Sequence, residues 1–598
     1  VLTDGYAIAD TGTQVGIQLF DAAKNYIGNL PYTTGSAPFG MANAVLPGTQ
    51  TYIRISFKPE EGTSQGPAPA TVMFMAGQAA SLPTMSIASP HVPFYGNSKV
   101  NWAIKTTVKK ASELGCALGI DILTGDIIAR NIDRSTTMYL IDDTAILNAF
   151  LATATATNPI KLILDGAAYV SGLILSPAGN TTIEGIGPGS GIYLTGASDG
   201  IRIGPWSQSI SQNSGNSEGP FNGTPAPARV ATNITLRNFT ISPNPTTIGH
   251  PTYGVILQSA SHITLDGLNI PSSCPYYAVA LSNVGDVSVT NCSFTSGGTL
   301  HDGVHIDGPA EKIRIIGCYF ATGDDGIALN AYEGYGGNIS DVVIDSCIFN
   351  NALSLMRAYG SNSVNSLNTW NTNKITRVTV SNCVGSVRSC VASLGLGAGA
   401  CNNENLDEIQ DISFSNCDIA HTEAYSPFLV TCNVRSLTIH NHTHRPLVAT
   451  AFLDVSAKYV QHVLVNNLTV VRSDAYPAAI PIVRIAGVPG GNMSKLTLRG
   501  ITVVDQTGSA YAAMPYVLGA VTPLGELMID AVDMDKFTAL FDSNGTTNIT
   551  TIKGVGVLGT ATQIADATMG NGALYLSSDA SGAPSIKVGG TVKRLTLA

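Results

Sequence analysis

One eight-residue phrase recurs through the middle of this chain with a cysteine in its sixth position. The copies are VSVTNCSF, IRIIGCYF, VVIDSCIF, VTVSNCVG and ISFSNCDI, which begin at residues 287, 313, 342, 378 and 412. Their cysteines follow one another at intervals of 26, 29, 36 and 34 residues and are Cys292, Cys318, Cys347, Cys383 and Cys417. A period of about 20–50 residues built from one short β-type phrase indicates a solenoid.

The same phrase also recurs without cysteine, for example as ITLRNFTI, ITLDGLNI and LTLRGITV. Each copy alternates apolar and polar residues and then stops at Asn, Gly or Ser, as a half-buried strand before a turn does. One coil cannot bury its own inner face, so coils stack and equivalent positions form columns. The sequence therefore predicts an all-β fold, a right-handed parallel β-helix of about 12–13 coils, with the five cysteines as reduced thiols in its interior.

The chain divides unevenly. In residues 1–95 the strand-like segments VGIQLFDAAKNYIGNLPY and TYIRISF predict a small β-sandwich-like N-terminal module, followed by a linker rich in Gly, Pro, Ser and Ala. Residues 96–160 are a connecting segment in which IDDTAILNAFLATA predicts a short helix that caps the β-helix. Residues 161–598 are predicted to form the β-helix itself.

Composition excludes several classes of function. The net charge is −10 with only 12% charged residues, and no basic stripe is present, so a nucleic-acid partner is not expected. No uninterrupted apolar run approaches the roughly 18 residues of a membrane span. We expect no cofactor, and no metal at the catalytic site, because no C-x-x-C or similar ligand motif occurs.

A histidine-rich segment, HNHTH, places His440, His442 and His444 at alternating positions, which on a strand share one face. Three imidazoles can bind a metal. No carboxylate or cysteine accompanies them, however, and the sequence favours solvated or stacked histidines.

A second set of columns comes from the strand that follows each phrase. Aligning YYAVALSN, HDGVHIDG, DDGIALNA and NNALSLMR, which begin at residues 276, 301, 324 and 350, gives two leading polar positions. These positions hold Tyr276, His301, Asp324 and Asn350 in one column and Tyr277, Asp302, Asp325 and Asn351 in the other. Neighbouring strands lie about 4.8 Å apart. We therefore expect the three aspartates in one patch, with His301, His305 and Asp307 at its edge.

Three carboxylates held so close repel one another, and at least one should have a raised pKa. General acid–base hydrolysis of a glycosidic bond needs one protonated and one ionised carboxyl group. Asp-Gly is also an ordinary turn sequence, and acidic turns can bind a structural calcium ion. Two Asp-Gly pairs in register on successive coils, with histidines beside them, favour a catalytic site.

Aromatic residues near this patch are candidates for stacking on sugar rings. Trp206 lies in a polar segment at 205–230 that interrupts the period, and loops of this kind commonly form the walls of a substrate groove. Tyr276 and Tyr277 precede the aspartates by one coil. A loop that merely covers the open face of a coil is the alternative interpretation.

The motifs HDGVHIDGP and TGDDGIALN resemble those of the polygalacturonase family of glycoside hydrolases. The resemblance implies that Asp324 is the general acid, that Asp302 and Asp325 hold the hydrolytic water, and that the anomeric carbon is inverted. The segment NNALS places Asn351 where that family has a histidine. The family's Arg-x-Lys, which binds a substrate carboxylate, has no good match, and Arg357 and Arg388 are the nearest candidates.

Two further segments carry a resemblance. The N-terminal segment resembles accessory modules of phage tail proteins. The order of IDDTAILNAFL, YVSG and NTTIEGIG resembles the start of pectate-lyase-like β-helices, which are common in phage tailspikes and in secreted polysaccharide-degrading enzymes. The resemblance implies a tailspike-like depolymerase at the extracellular or virion surface, and the analogy with tailspikes implies a homotrimer.

The sequence thus predicts a glycoside hydrolase that cleaves a bacterial surface or secreted polysaccharide. One alternative is a polysaccharide lyase acting by β-elimination, in which calcium, arginine or lysine neutralises a uronate carboxylate. The other is a non-catalytic carbohydrate-binding spike or adhesin. These motifs do not identify the sugar or its linkage.

Overall fold

A computed structural model of the chain describes its structure in two compact units, Val1–Val100 and Asn101–Ala598. The described residues are 13–21, 26–33, 50–59, 71–75, 106–116, 142–170, 174–176, 179–187, 189–194, 199–204, 226–242, 253–271, 277–295, 301–331, 333–360, 373–395, 408–446, 448, 450–474, 481–486, 491–507, 516–518, 524–533, 537, 542–543, 549–553, 557–558, 563–564, 574–577, 583–588 and 591–594.

The N-terminal unit contains one antiparallel sheet. Its strands, given in their spatial order, are Tyr26–Thr33, Thr13–Asp21, Gln50–Pro59 and Thr71–Met75. The alternating segments of the sequence therefore form strands as expected. A sandwich needs a second sheet, which would lie outside the described residues, so the sandwich stays a prediction.

The second unit is a right-handed parallel β-helix, as the sequence predicts. Three strand faces wind around its core, and the repeated phrase forms what we call the long face. Its strands are Thr107–Lys110, Ile160–Leu164, Gly179–Gly185, Ala231–Arg237, the second halves of Val255–Asp266, Val279–Thr290 and Val304–Ile316, then Ile339–Asp345, Ile375–Ser381, Ile409–Ser415, Val434–His444, Tyr459–Arg472, Asn492–Asp505, Leu524–Asp533 and Ile549–Lys553.

The short face follows the corner at which each phrase ends. Its strands are Ala167–Val170, Gly191–Leu194, Thr240–Ser242, Asn269–Ile270, Ser293–Thr295, Tyr319–Ala321, Ile348–Ala352, Val384–Val387, Asp418–His421, the last residues of Val434–His444, Tyr459–Arg472, Asn492–Asp505 and Leu524–Asp533, and then Val557–Leu558. The third face carries the candidate site and is called the site face. Its strands are Ile174–Ser176, Ile201–Ile203, the first halves of the three long strands that begin at Val255, Val279 and Val304, then Ile327–Asn330, Met356–Tyr359, Ala392–Leu394, Phe428–Val430, Leu453–Val455, Val483–Ala486, Tyr516–Leu518 and Asp542–Ser543.

The described long-face strands from Ile160–Leu164 to Ile549–Lys553 pair in unbroken succession and span thirteen coils, within the predicted range. The prediction that the β-helix continues to residue 598 is wrong. The strands Gln563–Ile564, Leu574–Ser577, Ala583–Val588 and Thr591–Arg594 form a separate sheet, which is antiparallel in its last three strands. The chain reverses between Ala583–Val588 and Thr591–Arg594, which pair antiparallel, whereas a further coil would need a parallel strand.

The cysteine ladder lies in the interior, as predicted. The five cysteines are at most 2% exposed and none is in a disulfide. Two residues further on, Phe294, Phe320 and Phe349 form a second column, with ring centroids 5.3 and 5.0 Å apart, in which the first pair is tilted and the second is stacked. Thiols and rings in successive coils thus fill the core without polar atoms that need partners.

The residue before each cysteine makes the corner. Asn382, Asn416, Asn441 and Asn467 all have a positive φ of 51–55°, a conformation that asparagine tolerates better than most residues. Their side-chain amides donate from coil to coil, with separations of 3.3, 2.9 and 3.0 Å. The repeated Asn-Cys pair is therefore a left-handed corner followed by a buried residue.

This corner corrects the interpretation of HNHTH. The left-handed Asn441 interrupts the alternation, so His440 is half-buried and bonds Asn466, whereas His442 and His444 are buried in the core. His442 continues the cysteine column, since its neighbours in register are Cys417 and Leu468. The three histidines do not share a face. Of the three, only His444 has a stacked ring partner among the described residues, and that partner is His421.

The predicted capping helix is confirmed as Thr144–Leu151, and a 3₁₀ turn covers Ser112–Leu114. Asp142 accepts the backbone N–H of Thr144, which satisfies one free donor of the first turn. Leu147, Phe150 and Leu151 are buried against the first coils. None of the helices described is long and apolar enough to cross a membrane.

Candidate active site

The candidate site lies where the chain enters the site face. The backbone N–H of Gly303 donates to the carbonyl of Asp325, and that of Ala278 donates to the carbonyl of Asp302. Tyr277, Asp302 and Asp325 therefore occupy successive coils of one column, as the sequence predicts. His301 and Asp324 are likewise adjacent, since the Asp324 N–H donates to the His301 carbonyl at 3.2 Å.

The glycine after each aspartate has a packing role. A Cβ atom on Gly303 would lie 2.5 Å from the ring of Phe320, and one on Gly326 would lie 2.5 Å from the ring of Phe349. Only glycine lets the backbone pass this close to the phenylalanine ladder. The repeated Asp-Gly pair therefore places a carboxylate just before each site-face strand and the glycine backbone against the core.

The predicted register fails on the next coil. Ile327 pairs with Met356, so Leu353 and Ser354 take the two positions predicted for Asn350 and Asn351. Asn351 instead lies on the short face, exposed, with φ of 60° and its N–H donating to the Ser386 hydroxyl.

The spacing from the cysteines shows why the alignment failed. Nine residues separate Cys318 from Ile327, and the same nine separate Cys347 from Met356. The offset is equal on these two coils but is twelve positions from Cys292 to Val304 on the coil before, and matching the polar pairs DD and NN gave the wrong register here.

The three predicted acids do come together. One carboxylate oxygen from each of Asp302, Asp324 and Asp325 lies within 4.8 Å of the others. Asp302 and Asp325 are buried and Asp324 is half-buried. The Asp325 N–H donates to Asp302 Oδ1 at 3.0 Å, so successive coils tie the pair together.

Two side chains from the next coil contact Asp325. The hydroxyl of Ser354 donates to Asp325 Oδ1. Arg357 Nε lies 2.9 Å from Asp325 Oδ2, but its N–H does not point along that line, so the contact is an ion pair rather than a hydrogen bond. The Arg357 side chain remains 29% exposed. Asp324 Oδ1 has no hydrogen-bond partner among the described residues.

The electrostatics follow from burial and mutual repulsion. Burial, reinforced by the charges of Asp302 and Asp324, raises the pKa of Asp325 to about 8 against the opposing effects of Arg357 and Ser354. Burial and the charge of Asp302 also raise the pKa of Asp324. The cluster therefore holds at least one carboxyl proton at neutral pH, as acid catalysis requires.

His305 links this trio to a second group of acids. Its Nδ1 lies 2.7 Å from Asp302 Oδ2, while its Nε2 lies 3.0 Å from Asp307 Oδ1 and 3.1 Å from Glu333 Oε2. Burial disfavours the imidazolium, but the charge of Asp307 and the three hydrogen bonds outweigh it and raise the pKa of His305 well above its usual value. The structure thus brings His305 and Asp307 to the edge of the trio, as predicted.

Glu333 was missed by the sequence reasoning. It lies on the turn after Ile327–Asn330, where its N–H donates to the Asn330 carbonyl at 3.1 Å. The segment AYEGYGG belongs to none of the repeated phrases. Because Glu333 lies outside the repeat, aligning the repeated strands could not have identified it.

Of the predicted aromatic residues, Tyr277 is described and is 6% exposed. Its ring stacks on that of His305 with centroids 3.8 Å apart and planes 5° from parallel, and Tyr253 lies on its other side at 5.6 Å. Tyr277 therefore supports His305 and does not present an open face to a sugar. Trp206 and Tyr276 lie outside the described residues.

Both candidate arginines lie near the three aspartates. Arg388 donates to the carbonyl of Gly323, next to Asp324, and Arg357 contacts Asp325. The trio is thus flanked by positive charge from the next two coils.

Comparisons with known proteins agree with the fold. A family model described as a right-handed beta helix region matches residues 229–393, which include the trio. No curated protein matches the sequence.

Among solved structures, the chain is similar to a family 28 exopolygalacturonase from Yersinia enterocolitica, at 11% identity and a TM-score of 0.43, over 92% of this chain and 98% of that one. It is similar to tailspike protein 3 of bacteriophage CBA120, at 13% identity and a TM-score of 0.41, over 82% of this chain and 69% of that one. An alginate lyase from Paenibacillus sp. matches at 13% identity and a TM-score of 0.33, over 54% of this chain and 96% of that one.

At these identities the solved structures add no argument about chemistry. The fold is established by the strand pairing and by the family model. The chain is a right-handed parallel β-helix protein with a buried acid cluster on one face.

Proposed function

We propose that the protein is a glycoside hydrolase that cleaves a bacterial surface or secreted polysaccharide at the Asp302–Asp324–Asp325 trio. The observation that carries the proposal is the close approach of three carboxylates, two of them with raised pKa values, at the rim of the site face. Carboxyl groups that differ in protonation are the machinery of glycoside hydrolysis.

The geometry supports distinct roles. Asp324 is the most exposed of the three, its pKa is raised, and its Oδ1 has no partner among the described residues, so it is the candidate general acid for the leaving oxygen. Asp302 is the candidate carboxylate for orienting water, and its contacts with His305 and the Asp325 N–H hold it in a fixed orientation. Asp325 assists it, and Arg357 offers a partly exposed cation for substrate oxygens.

The stereochemical outcome remains a separate prediction. The resemblance to polygalacturonases implies inversion, for which carboxyl groups lie about 6.5–9.5 Å apart, against about 5 Å in retaining enzymes. The nearest oxygens of the trio are within 4.8 Å, which does not favour the longer spacing. Proton NMR of the first-formed product would assign the anomer directly.

The setting is proposed by analogy. The phage-tail-like N-terminal segment and the helix-capped start of the coils support a tailspike-like depolymerase at an extracellular or virion surface, with three chains in parallel. Size-exclusion chromatography with light scattering would test the trimer. The segment 205–230, which contains Trp206, is proposed to form one wall of the substrate groove.

The test is a panel of bacterial capsular and secreted polysaccharides, assayed in parallel for new reducing ends and for absorbance near about 235 nm. Hydrolysis produces reducing ends without absorbance. A lyase, the second candidate, produces both, because β-elimination leaves an unsaturated uronate. Binding without either product would support a carbohydrate-binding spike and overturn the enzyme proposal.

A further inference from the structure

A second group of ligand-type atoms lies beside the trio. His305 Nε2 faces two carboxylates at once, Asp307 Oδ1 at 3.0 Å and Glu333 Oε2 at 3.1 Å. All three residues are buried, at 2%, 2% and 6% exposure. A ring nitrogen that faces two carboxylates requires a positive charge between them, either a proton or a metal ion.

The distances suit a small divalent cation. Zinc and similar ions bind imidazole nitrogen and carboxylate oxygen at about 2.0–2.2 Å. Two ligands at about 2.1 Å are about 3.0 Å apart when they meet the ion at the right angle of six-coordinate sites, and about 3.4 Å apart at the tetrahedral angle usual for zinc. The separations of 3.0 and 3.1 Å from Nε2 match the six-coordinate arrangement, and tetrahedral zinc would require a small outward shift of the carboxylates. Calcium, whose ligands lie at about 2.3–2.6 Å, would need wider spacing.

The other side of the imidazole is held as in metal-binding histidines. Such histidines almost always donate their second ring N–H to a carboxylate or carbonyl, which fixes the tautomer. His305 Nδ1 lies 2.7 Å from Asp302 Oδ2, and the stacked Tyr277 ring fixes the plane. With the proton on Nδ1, the lone pair of Nε2 points toward Asp307 and Glu333.

Buried oxygen atoms without partners point to the same place. In the column of Asp307, its two neighbours in register are Ser282 and Asn330. Ser282 Oγ and Asn330 Oδ1 have no hydrogen-bond partner among the described residues, although these side chains are only 4% and 5% exposed.

Both of these side chains are aimed at the cluster. The Asn330 amide lies 3.3 Å from His305 Nε2, and exchanging its oxygen and nitrogen, which are nearly alike in shape, turns the oxygen to that point. A Cβ atom on Gly334 would lie 2.4 Å from Ser282 Oγ and 3.2 Å from Asp307 Oδ2, so the hydroxyl and the carboxylate face the same small space.

The local charge also favours binding of a cation. Four carboxylates in this region, those of Asp302, Asp307, Asp325 and Glu333, are less than 9% exposed, and Asp324 is half-buried. Arg357 and Arg388 are the arginines whose charges act on the trio, and they offset only part of this. Buried carboxylates are stable when they are paired, protonated or bound to a metal.

We propose that His305, Asp307 and Glu333 bind one divalent first-row cation of the manganese or zinc class, with Asn330 and Ser282 supplying further oxygen. Imidazole together with carboxylates suits such ions, whereas calcium and magnesium prefer oxygen alone. The ion would bind Nε2 of His305, the ring nitrogen that does not contact Asp302. It would thereby fix the carboxylate that orients water.

Binding of Mn²⁺ to the whole chain tests this after EDTA treatment and dialysis. We expect one ion per chain by calorimetry, and pulsed electron paramagnetic resonance should show coupling to one imidazole nitrogen. Asp307→Asn and Glu333→Gln should each weaken binding at least about 100-fold, beyond the roughly 10–100-fold cost of losing an outer partner. Asp286→Asn is the matched control, since Asp286 is 43% exposed and its φ of 54° suits asparagine.

Several outcomes would overturn the proposal. Absence of saturable binding of either Mn²⁺ or Zn²⁺ to the native chain would show that a proton alone bridges the cluster. Unchanged affinity in both variants, or binding lost on Asp324→Asn instead, would place the ion elsewhere. The nitrogen signal requires no variant, so a misfolded mutant does not leave the question open. Metal binding is measured without substrate, so its failure is distinct from failure of the proposed hydrolase.

Discussion

Replacing His442 with leucine should make the protein markedly less sensitive to acid. His442 is 2% exposed, and neither ring nitrogen has a hydrogen-bond partner among the described residues. Burial, reinforced by the charges of His421 and Arg445 and opposed by Asp418, lowers the pKa of His442 to about 4. In the unfolded chain the pKa would be about 6.5.

The direction of the pH dependence of stability follows from proton linkage. The unfolded state binds the proton more tightly, so stability is fully present above about pH 6.5 and falls as the pH drops toward about 4. The lowering of the pKa corresponds to about 3 kcal/mol at the acid limit and about 2 kcal/mol at pH 5. Leucine cannot bind a proton, and it matches Leu468, the next residue of the same column.

The assay is urea unfolding of the wild-type protein and His442→Leu at about pH 8 and pH 5. We expect the wild type to lose about 2 kcal/mol more than the variant between these two pH values. His262→Gln is the control, because the His262 side chain is 62% exposed and should leave the pH dependence unchanged. Equal losses in the wild type and His442→Leu would refute the account of this core.

Other consequences of the structure can be tested in the same way. Because burial raises the pKa of Asp325 to about 8, its folded form binds a proton that the unfolded form releases, so the contribution of Asp325 to stability should fall as the pH rises from about 4 to 8. In urea titrations the stability of the wild type relative to Asp325→Asn should therefore decrease over that pH range. Tyr277→Ala should lower activity by releasing His305 while Tyr277→Phe keeps it, and equal activity in both variants would remove the ring stack from the mechanism. Trp206→Ala should raise KM with folding intact, as judged by circular dichroism, and an unchanged KM would exclude the loop from the groove. The five ladder cysteines should react with a thiol reagent only after unfolding, and rapid labelling of the native protein would contradict their burial.

Much of the fold could be predicted because one physical constraint repeats. A half-buried strand, a left-handed asparagine corner and a buried cysteine recur in the same order, so Asn416 and Cys417 are explained by the same packing as Asn382 and Cys383. The pattern breaks where a local feature shifts the alternation. Asn441 does so within HNHTH, and antiparallel pairing replaces parallel pairing in the last described strands.

The site was predictable only where it follows the columns. Asp302 and Asp325 are in register, and Asp324 is adjacent, because the same Asp-Gly step recurs on two coils. Asn351 was misplaced because the polar pairs DD and NN were matched, whereas Leu353 and Ser354 occupy those two positions. Glu333 reaches the site from a turn, and its contact with His305 depends on a tertiary path that no repeat encodes.

The most direct test of the hydrolase is Asp324→Asn, assayed on whichever polysaccharide the wild-type protein cleaves. Asparagine keeps the shape of the side chain but cannot deliver a proton, and general acid catalysis contributes roughly 10²–10⁴-fold. The rate should fall by that factor with the unfolding midpoint unchanged. Asp302→Asn and Asp325→Asn should fall similarly, and double variants less than multiplicatively, because the residues act as a unit. Near-normal rates in all three variants, alongside a normal Asp286→Asn control, would contradict the account and place the active site elsewhere.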